Sequence, residues 1–99
     1  MNLKELQADL KDICNKNGWS RLDTTAVFLL FSEEIGELAK EIRLHTGIKG
    51  EKKPKNTANL NAEFADVLNY FMELANRFDI DLTEAYLQKK AVNQLRNWK

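Results

Sequence analysis

Apolar positions recur every three or four residues along the first part of this chain, which is the spacing of an amphipathic helix. Charged residues separate them over residues 3–16, and the apolar positions are Leu3, Leu6, Leu10 and Ile13. Asn17-Gly18 follows directly and is typical of a helix C-terminus. The pattern therefore predicts a first helix over 3–16. Cys14, one turn after Leu10, is expected to be a small buried side chain.

Three further segments show the same helical period, and no stretch alternates as a strand does. We predict a second helix over about 24–45, a third over about 60–78 and a last helix that ends at about residue 97. The residues suited to cap them are, in order, Asp23 or Thr24, Asn59 or Asn61, and Asp81 or Thr83. The 99 residues are thus predicted to form a single all-α domain, residues 1–99, with four helices.

The second and third helices each place an acid among their apolar positions. On a helical wheel, Glu34 lies inside the apolar arc of the second helix and Glu37 lies at its edge, whereas Glu33 lies beyond it. In the third helix, Glu63 lies inside the arc and Asp66 at its margin. Because burial of an isolated charge is very unfavourable, these acids need a partner, a metal ion or a proton.

If the second and third helices pack antiparallel, their two acidic pairs face each other. Four carboxylates around one space make an oxygen-only site, which suits Mg²⁺, with Mn²⁺ as a second choice, and not zinc or copper. A di-iron bundle would need a Glu-x-x-His motif, and the single His45 lacks that spacing. Because His45 lies at the end of the second predicted helix, it is expected to cap that helix or face solvent. Magnesium in such sites also binds substrate phosphates, which favours metal-assisted attack of water on a phosphoanhydride. The alternative is two exposed acidic helix faces.

The acidic residues also match a known family. Glu33-Glu34-Ile35-Gly36-Glu37 followed by Glu63-Phe64-Ala65-Asp66 resembles the EExxE…ExxD signature of the MazG-like all-α nucleotide pyrophosphohydrolases. Lys89, Asn93 and Arg96 are similar to the K-x-x-x-N-x-x-R element of that family, and the resemblance covers roughly residues 22–96. It implies a four-helix MazG-like protomer whose helices pair into a bundle in a homodimer or homotetramer.

By this resemblance, the protein is a Mg²⁺-dependent enzyme that cleaves nucleoside triphosphates, predominantly deoxynucleoside triphosphates, to the monophosphate and pyrophosphate in nucleotide-pool housecleaning. The catalytic and metal-binding residues that it implies are Glu34, Glu37, Glu63 and Asp66.

The same resemblance assigns substrate binding to residues of the last helix. Lys89 and Arg96 would bind phosphates, and Asn93 would orient the substrate or the helix end; the alternative is basicity that favours the helix dipole. Trp19 and Trp98 offer faces that could stack a base, although packing in the core or in a dimer is the commoner role of large aromatic side chains.

Charge and composition limit the partners. Lys plus Arg equals Asp plus Glu at 15 each, and this zero net charge argues against binding to a nucleic-acid polymer. One cysteine and one histidine exclude a disulfide framework and the common zinc sites. No apolar run is long enough to span a membrane and the start lacks an apolar signal core, so we expect a cytoplasmic protein with no membrane partner.

Residues 46–59 are predicted to form a loop, since they contain glycines, a proline and asparagine. The segment has one acid, Glu51, and four lysines, which are Lys49, Lys52, Lys53 and Lys55. Such a charge run is most often a solvated connector; the alternative is a basic lid over a polyphosphate. Two other functions also stay open, a non-catalytic helical interaction module and a dUTPase or phosphoribosyl-nucleotide pyrophosphatase on the same scaffold.

Overall fold

The structure, a computed structural model, describes residues 1–96, and this part of the chain is helical with no strand. Its α-helices are α1 (Leu3–Lys16), α2 (Thr24–Thr46), α3 (Ala58–Arg77) and α4 (Leu82–Leu95), and a short 3₁₀ helix lies at Trp19–Arg21. The prediction of an all-α chain with four helices is confirmed. The expected helix end at residue 97 and the role of Trp98 lie outside the described residues. No helix in the described part is both long enough and apolar enough to cross a membrane.

Helices begin and end where side chains or glycine satisfy free backbone groups. The side chains of Asn2, Asp23 and Asp81 accept backbone N–H groups in the first turns of α1, α2 and α4. Gly47, at φ 67°, ends α2 and donates its N–H to the carbonyl oxygen of Arg43. The two acidic caps were among the residues that the sequence proposed.

α3 begins earlier than the sequence predicted, and a different residue caps it. The side chain of Asn56 accepts the N–H of Ala58 at 3.0 Å, and the helix begins there. Asn59 and Asn61, which the sequence offered as caps, lie inside the helix, so that expectation is wrong. Asparagine is favoured wherever a loop enters a helix, and composition alone does not select among three nearby asparagines.

The chain divides into two compact units. One comprises Met1–Arg21 with Met72–Lys99, and the other comprises Leu22–Phe71. The first contains α1, the 3₁₀ helix and α4, with the last residues of α3. The second contains α2, the loop at 47–57 and the first part of α3. That residues 1–99 form a single domain stays a prediction.

The core of the first unit lies between α1 and the end of α3. Leu10, Cys14 and Met72 are buried together. Burial raises the pKa of the Cys14 thiol, so it stays protonated and behaves as the small apolar side chain that the sequence predicted. Ile13, which the sequence placed on the buried stripe, is 40% exposed, whereas Gln7 is only 6% exposed.

Gln7 occupies this core position because its amide is fully satisfied. Its Nε2 donates to Asn76 Oδ1 at 3.0 Å and to the carbonyl oxygen of Ile80 at 2.9 Å. Its Oε1 accepts the N–H of Leu82 at 3.0 Å, and Asn76 Nδ2 donates back to the carbonyl oxygen of Gln7 at 2.9 Å. The network therefore joins α1 to the turn between α3 and α4 through groups that would otherwise be buried and unpaired.

In the second unit, aromatic rings pack along α2 and across to α3. Val27 on α2 is fully buried. The ring of Phe31 lies 6.2 Å from that of Phe28 and 6.0 Å from that of Phe71 on α3, measured between centroids. Such tilted ring pairs add about 0.5–1.5 kcal/mol to the gain from burying their area.

The Gln7 network makes a stability prediction. Gln7→Leu removes the side-chain partner of the Leu82 N–H, of Asn76 Oδ1 and of the Ile80 carbonyl oxygen. We therefore expect a loss of about 2–3 kcal/mol in the free energy of unfolding. Chemical denaturation measures this, with Gln88→Leu on the exposed side of α4 as the control, for which a change within about 0.5 kcal/mol is expected. Equal stability of the Gln7 variant and the wild type would contradict a structural role for the network.

Candidate metal centre

Three carboxylates meet where α2 and α3 pack together. Oxygens of Glu34, Glu63 and Asp66 all lie within 4.8 Å of one another. Phe31 precedes Glu34 on α2 and contacts Phe71, which follows Glu63 and Asp66 on α3, so the two helices run antiparallel. This is the condition under which the sequence predicted that the acids would meet. Glu34 and Glu63 are half-buried and Asp66 is exposed, which agrees with their places on the helical wheel.

Burial and neighbouring negative charges both act on the carboxylate of Glu63. Its Oε2 is buried and has no hydrogen-bond partner among the described residues. Burial raises the pKa of the Glu63 carboxyl, and the negative charges of Glu34 and Asp66, with a smaller contribution from Glu37, raise that pKa further. The ionised form of Glu63 is therefore disfavoured unless positive charge is placed beside it.

These residues fit a divalent cation. Carboxylate oxygens are hard ligands, which suit Mg²⁺, Mn²⁺ or Ca²⁺ and not the softer metals. A cation among them would give the unpaired Glu63 oxygen a partner and would offset the repulsion that raises its pKa. The cluster could therefore bind a divalent metal.

The structure places the other acids of the motif outside this cluster. Glu37 is exposed on α2 and acts on Glu63 through its charge, but its carboxylate does not belong to the group of three. Glu33 is exposed, as expected for a residue beyond the apolar arc. That Glu37 is a further ligand stays a prediction.

The proposed substrate-binding residues all lie in the other compact unit. Lys89 and Asn93 lie one turn apart on α4, and Arg96 is its C-cap; Lys89 and Arg96 are exposed and Asn93 is half-buried. Trp19 is 49% exposed, so it is not a core residue, and its carbonyl oxygen accepts a hydrogen bond from Arg77 at 3.1 Å. Their roles toward a substrate stay predictions.

The sequence analysis missed one buried polar group, Glu73, and placed one nitrogen of His45 incorrectly. Glu73 is buried beside a cavity of about 170 Å³ that Cys14 also lines, and it pairs with Arg77 at 3.2 Å. The i,i+4 spacing of this pair was the available signal. His45 was expected to cap a helix or face solvent, but its Nε2 is buried without a partner among the described residues, so the expectation is wrong for that nitrogen.

Comparison with known proteins agrees with a nucleotide-hydrolysing family. The sequence model of a family described as dUTPase matches residues 1–97. The uncharacterized protein YpjD of Bacillus subtilis (strain 168) is 31% identical over 84 residues, which are 85% of this chain and 76% of that protein. A dATP/dGTP diphosphohydrolase of Cyanophage S-2L is 36% identical over 66 residues, which are 67% of this chain and 50% of the cyanophage protein. No solved structure matches the chain.

The raised pKa of Glu63 makes a prediction about stability. A group whose pKa is higher in the folded state binds its proton more tightly there, so the fold gains stability as the pH falls from 7 through that pKa. In metal-free protein, Glu63→Gln should therefore raise the Tm at pH 7, and its advantage over the wild type should shrink at lower pH. Thermal unfolding with a chelator present measures both effects.

Glu33→Gln is the matched control, because it removes the same charge from an exposed position of the neighbouring helix. Its Tm should follow that of the wild type across the pH range. A Glu63→Gln protein that is less stable than the wild type at pH 7 would show that the carboxylate is not under electrostatic strain.

Proposed function

Since the chain belongs to the dUTPase family, we propose that it is a metal-dependent pyrophosphohydrolase of nucleoside triphosphates. The observation that carries this proposal is the cluster of Glu34, Glu63 and Asp66 on the antiparallel helix pair. The EExxE…ExxD signature of the chain and its K-x-x-x-N-x-x-R element on α4 support a MazG-like enzyme, which cleaves between the α and β phosphates. The products are the nucleoside monophosphate and pyrophosphate, and the role is housecleaning of the nucleotide pool in the cytoplasm.

The proposed metal is Mg²⁺, held by Glu34, Glu63 and Asp66, with Glu37 as a further ligand. When bound, it neutralises charge on the phosphates and helps to activate water. The chain contributes the position of these carboxylates, which the packing of Phe31 on Phe71 fixes.

The remaining proposed roles belong to the first unit. Lys89 and Arg96 would bind phosphate oxygens as charged donors, and Asn93 would orient the substrate. Trp19 would offer its half-exposed ring to a base, since aromatic faces stack on any base.

The substrate proposed first is a deoxynucleoside triphosphate. The similarity to a cyanophage protein named dATP/dGTP diphosphohydrolase supports purine deoxynucleoside triphosphates as the first candidate. The description of the matching family favours dUTP, and this is our second candidate. Both use the same phosphate chemistry, so the candidates differ only in which base is accepted.

We also propose that the protein acts as a homodimer or homotetramer. Contiguous exposed apolar surface marks an interaction site, and large apolar side chains are exposed in each unit. On α4 they are Tyr86, Leu87, Val92 and Leu95. In the second unit they include Phe28, Leu29, Ile35, Ile42, Phe64 and Leu68.

The catalytic proposal is tested by pyrophosphate release. With Mg²⁺ and a panel of canonical and modified nucleoside triphosphates and deoxynucleoside triphosphates, the wild type should release pyrophosphate, and a chelator should abolish the release. Glu34→Gln should lower kcat/KM about 100-fold or more, because a charge that holds the cation is lost. Glu33→Gln, on the neighbouring exposed position, should retain activity.

The ranking of the panel distinguishes dUTP from the purine deoxynucleotides. Absence of release from every nucleotide by folded wild-type protein would refute the enzyme and favour a non-catalytic interaction module.

The oligomer is tested by analytical ultracentrifugation. The wild type should sediment with the mass of two or four chains, and Leu87→Lys should shift the population toward smaller species because it places a charge in an apolar interface. Leu87→Met, which keeps an apolar side chain of similar size at the same position, is the control. A wild type that sediments as one chain at all concentrations would exclude the proposed assembly.

A further inference from the structure

The orientation of the Trp19 ring depends on how its backbone is held. Trp19 begins the short 3₁₀ helix Trp19–Arg21, and it is 49% exposed, so its indole is not enclosed by a core. A side chain of this type has only two rotatable bonds between the backbone and the ring. If the backbone at Trp19 is fixed, few directions therefore remain open to the indole.

An arginine near the end of α3 holds that backbone. Nη2 of Arg77 donates a hydrogen bond to the carbonyl oxygen of Trp19 at 3.1 Å, although the two residues are 58 positions apart in the chain. The Arg77 side chain is only 14% exposed, which limits competition from water. Hydrogen bonds from a charged donor are also stronger than those between neutral groups. The contact thus ties the start of the 3₁₀ helix to α3 within the first compact unit.

Glu73 in turn holds the arginine. Its Oε2 accepts a hydrogen bond from the same Nη2 at 3.2 Å, one helical turn earlier on α3. Both side chains are largely buried, so each neutralises a charge that would be unfavourable to bury alone. Since one nitrogen donates to both Glu73 and Trp19, the ion pair fixes the position from which Arg77 reaches the 3₁₀ helix.

Side chains do not fill the space beside this 3₁₀ helix. A cavity of about 170 Å³ lies there, and Ser20, the residue after Trp19, lines it together with Cys14, Glu73 and Arg77. Close packing restrains a segment only where its neighbours fill the space around it. On this side of the helix the restraint therefore comes from the hydrogen bond that Arg77 donates.

We propose that Arg77, held by Glu73, is a positioning residue that keeps the indole of Trp19 in place to stack on the base of the substrate. This inference rests on the proposed function for the role of Trp19 and for the identity of the ligand. Arg77 acts through the backbone of Trp19, so its loss weakens binding of the base and leaves binding of the phosphates unchanged. The competing interpretation is an ion pair that only stabilises the fold.

The first test measures the mobility of Trp19 without a ligand. Trp98→Phe leaves Trp19 as the single tryptophan of the chain, and its fluorescence anisotropy and its quenching by acrylamide are then compared among variants. Glu73→Met/Arg77→Leu removes both charges and retains apolar bulk, so neither charge is left buried and unpaired. We expect lower anisotropy and stronger quenching in this variant, because the carbonyl oxygen of Trp19 has lost its donor.

Arg77→Lys is the second variant, since it keeps a positive charge beside Glu73 on a side chain that is one bond shorter. It should change the fluorescence of Trp19 in the same direction. Lys11→Gln is the control, because it removes a positive charge from an exposed position of α1 that also lines the cavity, and it should leave the fluorescence unchanged. Unchanged anisotropy and quenching in both Arg77 variants would overturn the inference.

Hydrolysis tests whether this restraint acts on the base. Glu73→Met/Arg77→Leu should raise KM for a deoxynucleoside triphosphate about tenfold and leave kcat within about twofold, because stacking on a base is weakened and the reacting groups are intact. Inorganic tripolyphosphate with Mg²⁺ has the phosphates but no base, and its dissociation constant from calorimetry should be the same for both proteins. An equal loss of affinity for tripolyphosphate would indicate a general defect of the fold and would overturn the inference.

A double-mutant cycle with Trp19→Ala separates the inference from the proposed function. In that background the substitutions at Glu73 and Arg77 should raise KM no further, since the ring on which they act is gone. A further increase of the same size would show that Arg77 acts independently of Trp19 and would overturn the inference.

A Trp19→Ala protein with the KM of the wild type would refute the proposed role of Trp19 toward the base. Absence of hydrolysis of every nucleotide by the wild type would refute the proposed enzyme. In either case the fluorescence of the Arg77 variants still decides whether Arg77 holds Trp19 in place.

Discussion

Mutual repulsion among Glu34, Glu63 and Asp66 is the constraint on which the second compact unit of this chain depends. Packing between α2 and α3, in which Phe31 meets Phe71, forces these carboxylates together. Apolar contacts thus stabilise an arrangement that electrostatics opposes, and the raised pKa of Glu63 is the sign of that opposition. Strain of this kind is retained where a ligand relieves it, since proteins commonly give up stability at functional sites.

The two compact units differ in whether a buried polar side chain has hydrogen-bond partners. The amide of Gln7 in the first unit has a partner for both of its atoms, and the network that it forms is complete. The Oε2 of Glu63 in the second unit is buried and has no partner within residues 1–96. Buried polar groups are almost always paired, so a complete network indicates a structural role, whereas a buried oxygen without a partner is available to bind a cation. The first unit is therefore suited to hold α4 in place and the second to bind a cation.

Periodicity predicted the helices and the position of each acid on its helix, because both follow from the local spacing of apolar residues. That Glu34 and Glu63 meet was predicted only on the assumption that their helices pack antiparallel, which the structure confirms. Periodicity failed where a partner is distant in the chain. It placed Ile13 in the core and passed over Gln7, whose hydrogen-bond partners Asn76 and Ile80 are 69 and 73 residues away. A polar residue is recognised as part of the core only when the groups that satisfy it are known.

The residues proposed to bind phosphate do not distinguish one base from another. Carboxylates that would hold a cation, and Lys89 and Arg96 as proposed phosphate donors, would interact with groups that every nucleoside triphosphate shares. Selection of a base requires contacts to its edge or face, and within residues 1–96 the proposed aromatic contact is Trp19, in the unit that does not contain the carboxylate cluster. A base preference could therefore differ between relatives that share the carboxylates. A family described as dUTPase and a dATP/dGTP diphosphohydrolase can both resemble this chain for that reason.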